Sequence, residues 1–506
     1  MARSVHREEF LFAIAISLCL LIADINTSGS QQLPNIVFMM ADDLGYGDVG
    51  YNGANATTPN LDAMASGPNT IHLTRYYSGA PMCSPTRGTV LTGRNHNRYC
   101  VWSANVGGGT ADFVKPEIMP LPTTEVTVAE ILKKYGYQTA MFGKWHLGDF
   151  KVLPEGNKKW PVSHPGMHGF DEWWATERSA QNVNLNCACF DEKLCVLGHY
   201  GNAPPCTNYY TIYDKGSPEE LSYPLDGDDS HYIVDLFEEY LEKITKSDEP
   251  FFVYLPFHTV HTRYLATENY VKNYMPIGYS QHQIDYYGAI SAMDDAIGRV
   301  RELLKNYNVS NNTMLWFTSD NGPEIGQPGV TAGFRGRKRS LYEGGIRLPG
   351  LIEWPDMIKK NLKSDYPVIS SDLLPTACDI VGTSPPSDRP IDGVSILPFI
   401  KGEKTQRNAS IKWAYKIPGN FNGSYQAATS GDQYKIYALY DKDKVKSAEL
   451  YDLLADPFET KDLSGDKTDV YHSMLDELEQ WRQSVIKSAT EEVNCYGVSN
   501  NTELWS

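Results

Sequence analysis

The sequence predicts an α/β protein: a mostly parallel central sheet flanked by helices over residues 33–400, then a smaller C-terminal α+β domain over 401–506. Three observations predict it. Short continuous apolar runs recur along the chain and end in polar clusters, the pattern of strands buried on both faces. Helical periodicity fills the intervals, and strands alternating with helices build parallel sheets. After about Lys401 the texture changes to short aromatic strands divided by turn residues, closed by one helical stretch.

In chain order, Arg3 and Arg7 precede the apolar run "FLFAIAISLCLLIA" (Phe10–Ala23), and small polar residues follow. This reads as a signal peptide over residues 1–28, cleaved between Ala23 and Ser30. The run is short for a bilayer span, so no membrane span is expected in the mature chain. The expected location is secreted or lysosomal. Sequons at Asn55, Asn308, Asn311, Asn408, Asn422 and Asn500 agree with that route and make a glycoprotein the expectation.

The first strand is "NIVFMMADD", an apolar run over Ile36–Met40 closed by Asp42 and Asp43. "PMCSPTRGTVLTGR" (Pro81–Arg94) then sets Cys83 at the mouth of a helix-forming stretch. In an oxidising compartment a disulfide to Cys100 or to a distant partner is one reading of Cys83. A cysteine-phosphatase loop is not, because Arg87 comes too soon. "TVAEILKKYG" puts Val128, Ile131 and Leu132 on one helical face, with Gly136 as the stop. "QTAMFGKWH" is the next strand and ends in Lys144 and His146.

Cys187, Cys189, Cys195 and Cys206 crowd together, which predicts a pair of local disulfides; their spacing fits no common zinc pattern. "PFFVYLPFHTVH" is a strand ending in His258 and His261. Tyr286–Tyr307 is a helix on the spacing of Ile290, Met293, Ile297, Val300 and Leu304. "TMLWFTSDNG" is a strand ending in Asp320 and Asn321. The C-terminal strands are "IKWAYK", "YQAATSG", "QYKIYALYD" and "AELYDLL", and "VYHSMLDELEQWRQSVIK" is the closing helix.

The formal net charge of −17 argues against nucleic acid as a partner. It also means that only a local basic patch could draw in an anionic substrate. Arg335, Arg337, Arg339 and Arg347 surround Lys338 and read either as such a funnel or as a solvated loop. In parallel α/β sheets ligands sit beyond the carboxyl ends of the strands. Asp42, Asp43, Asp320 and Asn321 close two of the strands. Three carboxylates and an amide form an all-oxygen shell, which suits Ca²⁺ or Mg²⁺ rather than zinc.

"CSPTR" (Cys83–Arg87), with "LTGR" after it, resembles the signature of the type I sulfatases. The blocks "ADDLGYGDVG", "TPNLDAMA", "GYQTAMFGKWHLG", "HGFDEWW", "FTSDNGPE", "RGRKRSLYEGGIRLP" and "DPFETKDL" resemble that family in the same order, from about Pro34 to Leu463. "RGRKRSLYEGG" is most similar to the arylsulfatase B-like and related lysosomal branches. The resemblance implies an alkaline-phosphatase-like fold and a sulfuric ester hydrolase of the arylsulfatase type. It implies that a formylglycine-generating enzyme converts Cys83 into formylglycine. One Ca²⁺ per chain would lie among Asp42, Asp43, Asp320, Asn321 and position 83. Arg87 would support the modified residue, Lys144 and His146 would stand beside its hydrate, and His261 and Lys338 would contact the sulfate.

The implied chemistry explains the conversion. An aldehyde hydrate has two hydroxyls on one carbon, one to attack sulfur and one to re-form the aldehyde and expel sulfate. His146 would take the proton for that second step. Serine lacks the second hydroxyl and would stay sulfated. Two residues depart from the pattern: no proline follows His261, which leaves His258 as its rival, and Thr86 replaces the commoner serine. Two other readings compete: a sulfatase-derived glycoprotein that binds sulfated glycans without turnover, and a phosphatase or phosphodiesterase on the same fold.

Overall fold

A computed structural model describes residues 32–104, 120–148, 163–176, 209–214, 217–222, 229–262, 264, 266–416, 424–441 and 444–492. The expected signal peptide, the four-cysteine stretch and the sequons at Asn422 and Asn500 lie outside the described residues. The other four sequon asparagines, Asn55, Asn308, Asn311 and Asn408, are exposed.

The central sheet has eleven strands: β1 (Asn35–Ala41), β2 (Thr70–Tyr77), β3 (Gln138–Lys144), β4 (Glu172–Thr176), β5 (Tyr209–Asp214), β6 (Ser217–Ser222), β7 (Phe251–Pro256), β8 (Thr313–Ser319), β9 (Arg347–Glu353), β10 (Leu362–Ser364) and β11 (Val368–Ile369). Their order is β10-β2-β9-β8-β1-β7-β3-β4-β5-β6, with β11 also paired to β2. The four apolar runs are β8, β1, β7 and β3, four neighbours at the centre of the sheet. All four are parallel, with Met39 opposite both Leu255 and Phe317 and Ala140 opposite Val253. Parallel strands deliver their C-terminal ends to one edge, so the polar clusters that follow them converge.

Strand alternation divides the core in two. Val37, Met39, Phe142, Val253 and Leu315 face one side, against helices Ser230–Ile244 and Gln281–Asn306. Ile36, Phe38, Met141, Phe252 and Trp316 face the other, against Val90 and Leu91 of helix Cys83–Thr92, Val128 and Leu132 of helix Val128–Lys134, and Leu373 and Leu374 of helix Leu373–Ile380. Helix Val128–Lys134 starts at a capping box, Thr127 with Glu130, and Gly136 beyond it takes a φ of 84°. The long helix begins at Gln281, ahead of the Tyr286 expected from apolar spacing, because Ser280 and Gln283 form a capping box. Antiparallel pairing joins β2 to β9, β8 to β9, and β4 through β6 at the flanks of the sheet.

A separate antiparallel sheet follows: β12 (Ile411–Lys416), β13 (Ser424–Ser430), β14 (Tyr434–Asp441) and β15 (Lys444–Asp452). One face packs on helix Thr468–Lys487 through Ile436, Leu450, Met474, Leu478 and Val485. The other packs on the body of the protein through Trp413, Tyr437, Tyr77, Leu341 and Ile346. The indole of Trp413 also donates to the Ser78 carbonyl at 2.8 Å.

Cys83 carries a free thiol, whereas Cys100 is disulfide-bonded. The disulfide reading of Cys83 is therefore overturned. Its sulfur is buried at the strand ends, 3.5 Å from Asp42 Oδ1.

Candidate active site

Four strand ends, one helix and the loop that carries Lys338 build the site. β1 delivers Asp42 and Asp43, β8 delivers Asp320 and Asn321, β3 delivers Lys144 and His146, and β7 leads to His258 and His261. Trp145 points away into the core and donates its indole N–H to Ser163 at 2.6 Å, so Lys144 and His146 share the opposite side. His146 and Asp43 hold left-handed backbone, with φ of 56° and 57°. Cys83 opens its helix, and Arg87 lies one turn on along the same face. Thr86 anchors the turn before it: its hydroxyl accepts from the Ala80 N–H at 3.1 Å and donates to the Ala80 carbonyl at 2.8 Å.

The charged groups interlock. Arg87 donates to Asp320 Oδ2 through Nε and Nη2, at 3.2 and 2.8 Å, and to the Lys144 carbonyl at 3.0 Å. Lys144 Nζ pairs with Asp42 Oδ2. Lys338 Nζ lies 2.5 Å from Asp43 Oδ1 and 3.6 Å from Glu324. Asn321 donates to Asp43 Oδ1 at 2.6 Å. His261 Nε2 lies 3.9 Å from Asp43 Oδ2. Asp42, Asp43, Cys83, Arg87, Lys144, His146, Asp320, Asn321 and Lys338 are all buried, and His261 is partly exposed.

Burial alone would raise the Asp42 carboxyl, but Lys144, His261, Arg87 and Lys338 hold it well below the ordinary range. Burial and then the Asp320 charge push the Cys83 thiol well up. An un-ionised thiol is a poor nucleophile, so this setting does not activate cysteine as such. Burial, with Lys144 and Arg87 adding to it, keeps His146 well below its usual value, so its imidazole is neutral.

The cluster fits a hard cation. One ligand atom from each of Asp42, Asp43, Cys83 and Asp320 falls within 4.8 Å of the others. Asp43 Oδ2 and Asn321 Oδ1 are buried and accept no hydrogen bond. Buried oxygens without donors are what an oxygen-ligated cation satisfies. The acids Asp42, Asp43 and Asp320 are matched by Arg87, Lys144 and Lys338. A divalent cation would therefore leave the site net positive, the field an oxyanion substrate needs.

The structure brings every residue expected at the site to this edge of the sheet and distinguishes the two histidines. His258 is fully buried, with Nδ1 2.5 Å from Asp229 and Nε2 2.7 Å from the Thr176 hydroxyl. His261 faces the acidic cluster instead. The arginines around Lys338 are held by partners and do not form a loose loop. Arg335 bonds Tyr451 at 2.7 Å and lies over the Tyr342 ring, and Arg337 bonds the Gln327 and Gly329 carbonyls. Arg339 pairs with Glu324, and Arg347 bonds the Thr74 carbonyl at 2.8 Å. Sequence reasoning missed Glu324 and Asp229. Glu324 stands four residues after Asp320 in "FTSDNGPE", and that proximity was its signal; Asp229 had none.

Comparison with known proteins agrees with this geometry. The family model described as Sulfatase matches residues 34–383, and that described as N-sulphoglucosamine sulphohydrolase, C-terminal, matches residues 334–484. The chain is 33% identical to human N-acetylgalactosamine-6-sulfatase over 383 residues, covering 74% of this chain and 67% of that protein. It is 30% identical to human steryl-sulfatase over 455 residues, covering 75% and 72%. The crystal structure of Ps i-CgsB in complex with k-i-k-neocarrahexaose superposes with a TM-score of 0.74 at 25% identity, over 93% of this chain and 98% of that one. The mostly parallel sheet with its separate four-stranded sheet is the alkaline-phosphatase-like architecture of these structures. The chain belongs to the type I sulfatase family and is a sulfuric ester hydrolase.

Proposed function

We propose that the protein hydrolyses the sulfate ester of a sulfated sugar, using formylglycine made from Cys83 and one Ca²⁺ held by Asp42, Asp43, Asp320, Asn321 and position 83. The observation that carries this is the buried meeting of Cys83 with three carboxylates and two unsatisfied oxygens. Ca²⁺ and the aldehyde hydrate would supply charge neutralisation and the nucleophilic oxygen. The chain's own residues do the rest. Arg87 fixes Asp320 and Asp42 in place by ion pairs at 2.8 and 3.5 Å. Lys144 and Lys338 offset the negative charge that grows on sulfate oxygens in the transition state. His146 is kept neutral by burial and the cations Lys144 and Arg87, and its role here is to take a proton from the hydrate at position 83. His261, partly exposed at the cluster's edge, orients the sulfate.

A sugar sulfate is favoured because relatives and neighbours include an N-acetylgalactosamine-6-sulfatase and a protein solved with neocarrahexaose. Passage through the secretory pathway, modification there by a formylglycine-generating enzyme, and a catalytic domain ending near residue 400 belong to the same proposal. Among the described residues no helix is long and apolar enough to cross a membrane. The test is sulfate release from an aryl sulfate and from N-acetylgalactosamine 6-sulfate by secreted wild-type protein and Cys83→Ser. Turnover by wild type alone is expected. Wild-type turnover by Cys83→Ser would contradict the proposal.

A further inference from the structure

The loop that carries Lys338 is a knot of tight turns. The Lys338 N–H donates to the Pro323 carbonyl at 3.2 Å, and the Arg339 N–H to that of Pro81 at 2.9 Å, which ties the loop to the approach to Cys83. Gly344 N–H donates to Arg335 at 2.7 Å and Gly345 N–H to Tyr342 at 2.9 Å, folding the loop back on itself. Side chains do not fit at this crossing: a Cβ on Gly344 would lie 2.3 Å from the Gly336 carbonyl, and one on Gly345 would lie 2.0 Å from that of Ser340.

Glu343 stands at the start of the crossing and is fully buried. Its carboxylate accepts from Lys435 Nζ at 2.8 Å and from the Tyr77 hydroxyl at 3.0 Å, and pairs with Arg347 at 3.3 Å. Its N–H donates to Glu459 at 2.7 Å, and the other oxygen of Glu459 lies 2.8 Å from Lys435. Lys435 belongs to β14, and Glu459 follows β15. Gln426 of β13 adds a second grip, accepting from the Leu341 N–H at 3.0 Å and donating to the Arg339 carbonyl at 3.1 Å. The C-terminal sheet thus holds the loop at residues 339, 341 and 343, just beyond Lys338.

A buried ion triad is a weak source of stability, because desolvation offsets much of the attraction. What it supplies here is direction, several short bonds that leave the loop one position. We propose that Glu343, Lys435 and Glu459 form a positioning device that sets Lys338 Nζ against Asp43, making the C-terminal sheet a working part of the active site. The proposal rests on the reading of Lys338 as a sulfate-contacting group.

The experiment is a double-mutant cycle on secreted holoprotein: wild type, Lys338→Ala, Lys435→Met and the double variant, with kcat, KM and melting temperature measured on an aryl sulfate. A displacement on the order of 1 Å costs roughly a hundredfold in rate, so Lys435→Met is expected to lower kcat by about tenfold to a hundredfold and KM far less. In the Lys338→Ala background it is expected to change kcat by less than about threefold, since residues acting through one another are not additive. Undiminished kcat in folded Lys435→Met, or losses that multiply in the double variant, would overturn the proposal. Where Lys435→Met does not fold, Glu343→Gln, which keeps the size and removes the charge that Lys435 and Arg347 hold ionised, is run through the same cycle under the same criteria. Wild-type kcat in Lys338→Ala alone would instead overturn the reading of Lys338, and the positioning device with it.

Discussion

At the scale of residues, Lys338 and His146 carry the sharpest expectations. Lys338 is held charged, because Asp43 and its neighbours outweigh the effect of burial. Lys338→Ala removes a preorganised cation, and loss of one such stabiliser costs about a hundredfold to a thousandfold in kcat. His146→Ala removes a neutral acceptor and is expected to lower turnover by roughly 10²–10⁴-fold. Both variants should keep their fold and bound Ca²⁺, since neither residue is among the proposed ligands. Steady-state rates with metal content decide it, and wild-type turnover in both would refute these roles. Asp42, Asp43 and Asp320 were legible in the sequence because two apolar runs share an acidic ending, and Cys83 because "CSPTR" resembles a family signature. Asp229 and Lys435 were not legible. Each is defined by a partner distant in the chain, His258 for one and Glu343 for the other.

At the scale of elements, the strands were legible because burial on both faces writes itself as an unbroken apolar run. β2 was not, because "TIHLTRYY" mixes His72, Thr74 and Arg75 with apolar residues. The start of the long helix was missed because apolar spacing does not register a polar cap. Tyr286 of that helix donates to Asp48 Oδ2 at 2.8 Å, and the Val330 N–H donates to Asp48 Oδ1 at 2.8 Å, so one carboxyl joins three segments beside the site. Burial raises it to about 7, against hydrogen bonds that lower it. A folded-state value raised above the unfolded one gives stability that is full below about pH 4 and is lost as pH rises through about 7. Asp48→Asn is therefore expected to gain on wild type in melting temperature as pH rises from about 4 to about 7. A difference that does not vary with pH would contradict this.

At the scale of the whole molecule, the order β8-β1-β7-β3 is what turns separate strand ends into one site. Alternation of strands and helices made the parallel sheet readable. The seating of the C-terminal sheet on the Lys338 loop was not readable, because Trp413, Tyr437 and Lys435 look like ordinary strand residues until their partners are known. A ligand that binds only the folded state stabilises it by mass action. Removing Ca²⁺ should therefore lower the melting temperature and abolish turnover together, and Asp320→Ala should lose both the metal and its stabilising effect. Full activity after exhaustive chelation would contradict the metal assignment. The most direct test of the account is mass spectrometry of the peptide containing position 83, from active protein secreted by cells that hold the modifying enzyme. An aldehyde in place of the thiol, reactive with a hydrazide, is the expected result. An intact cysteine in protein that still turns over sulfate esters would contradict it.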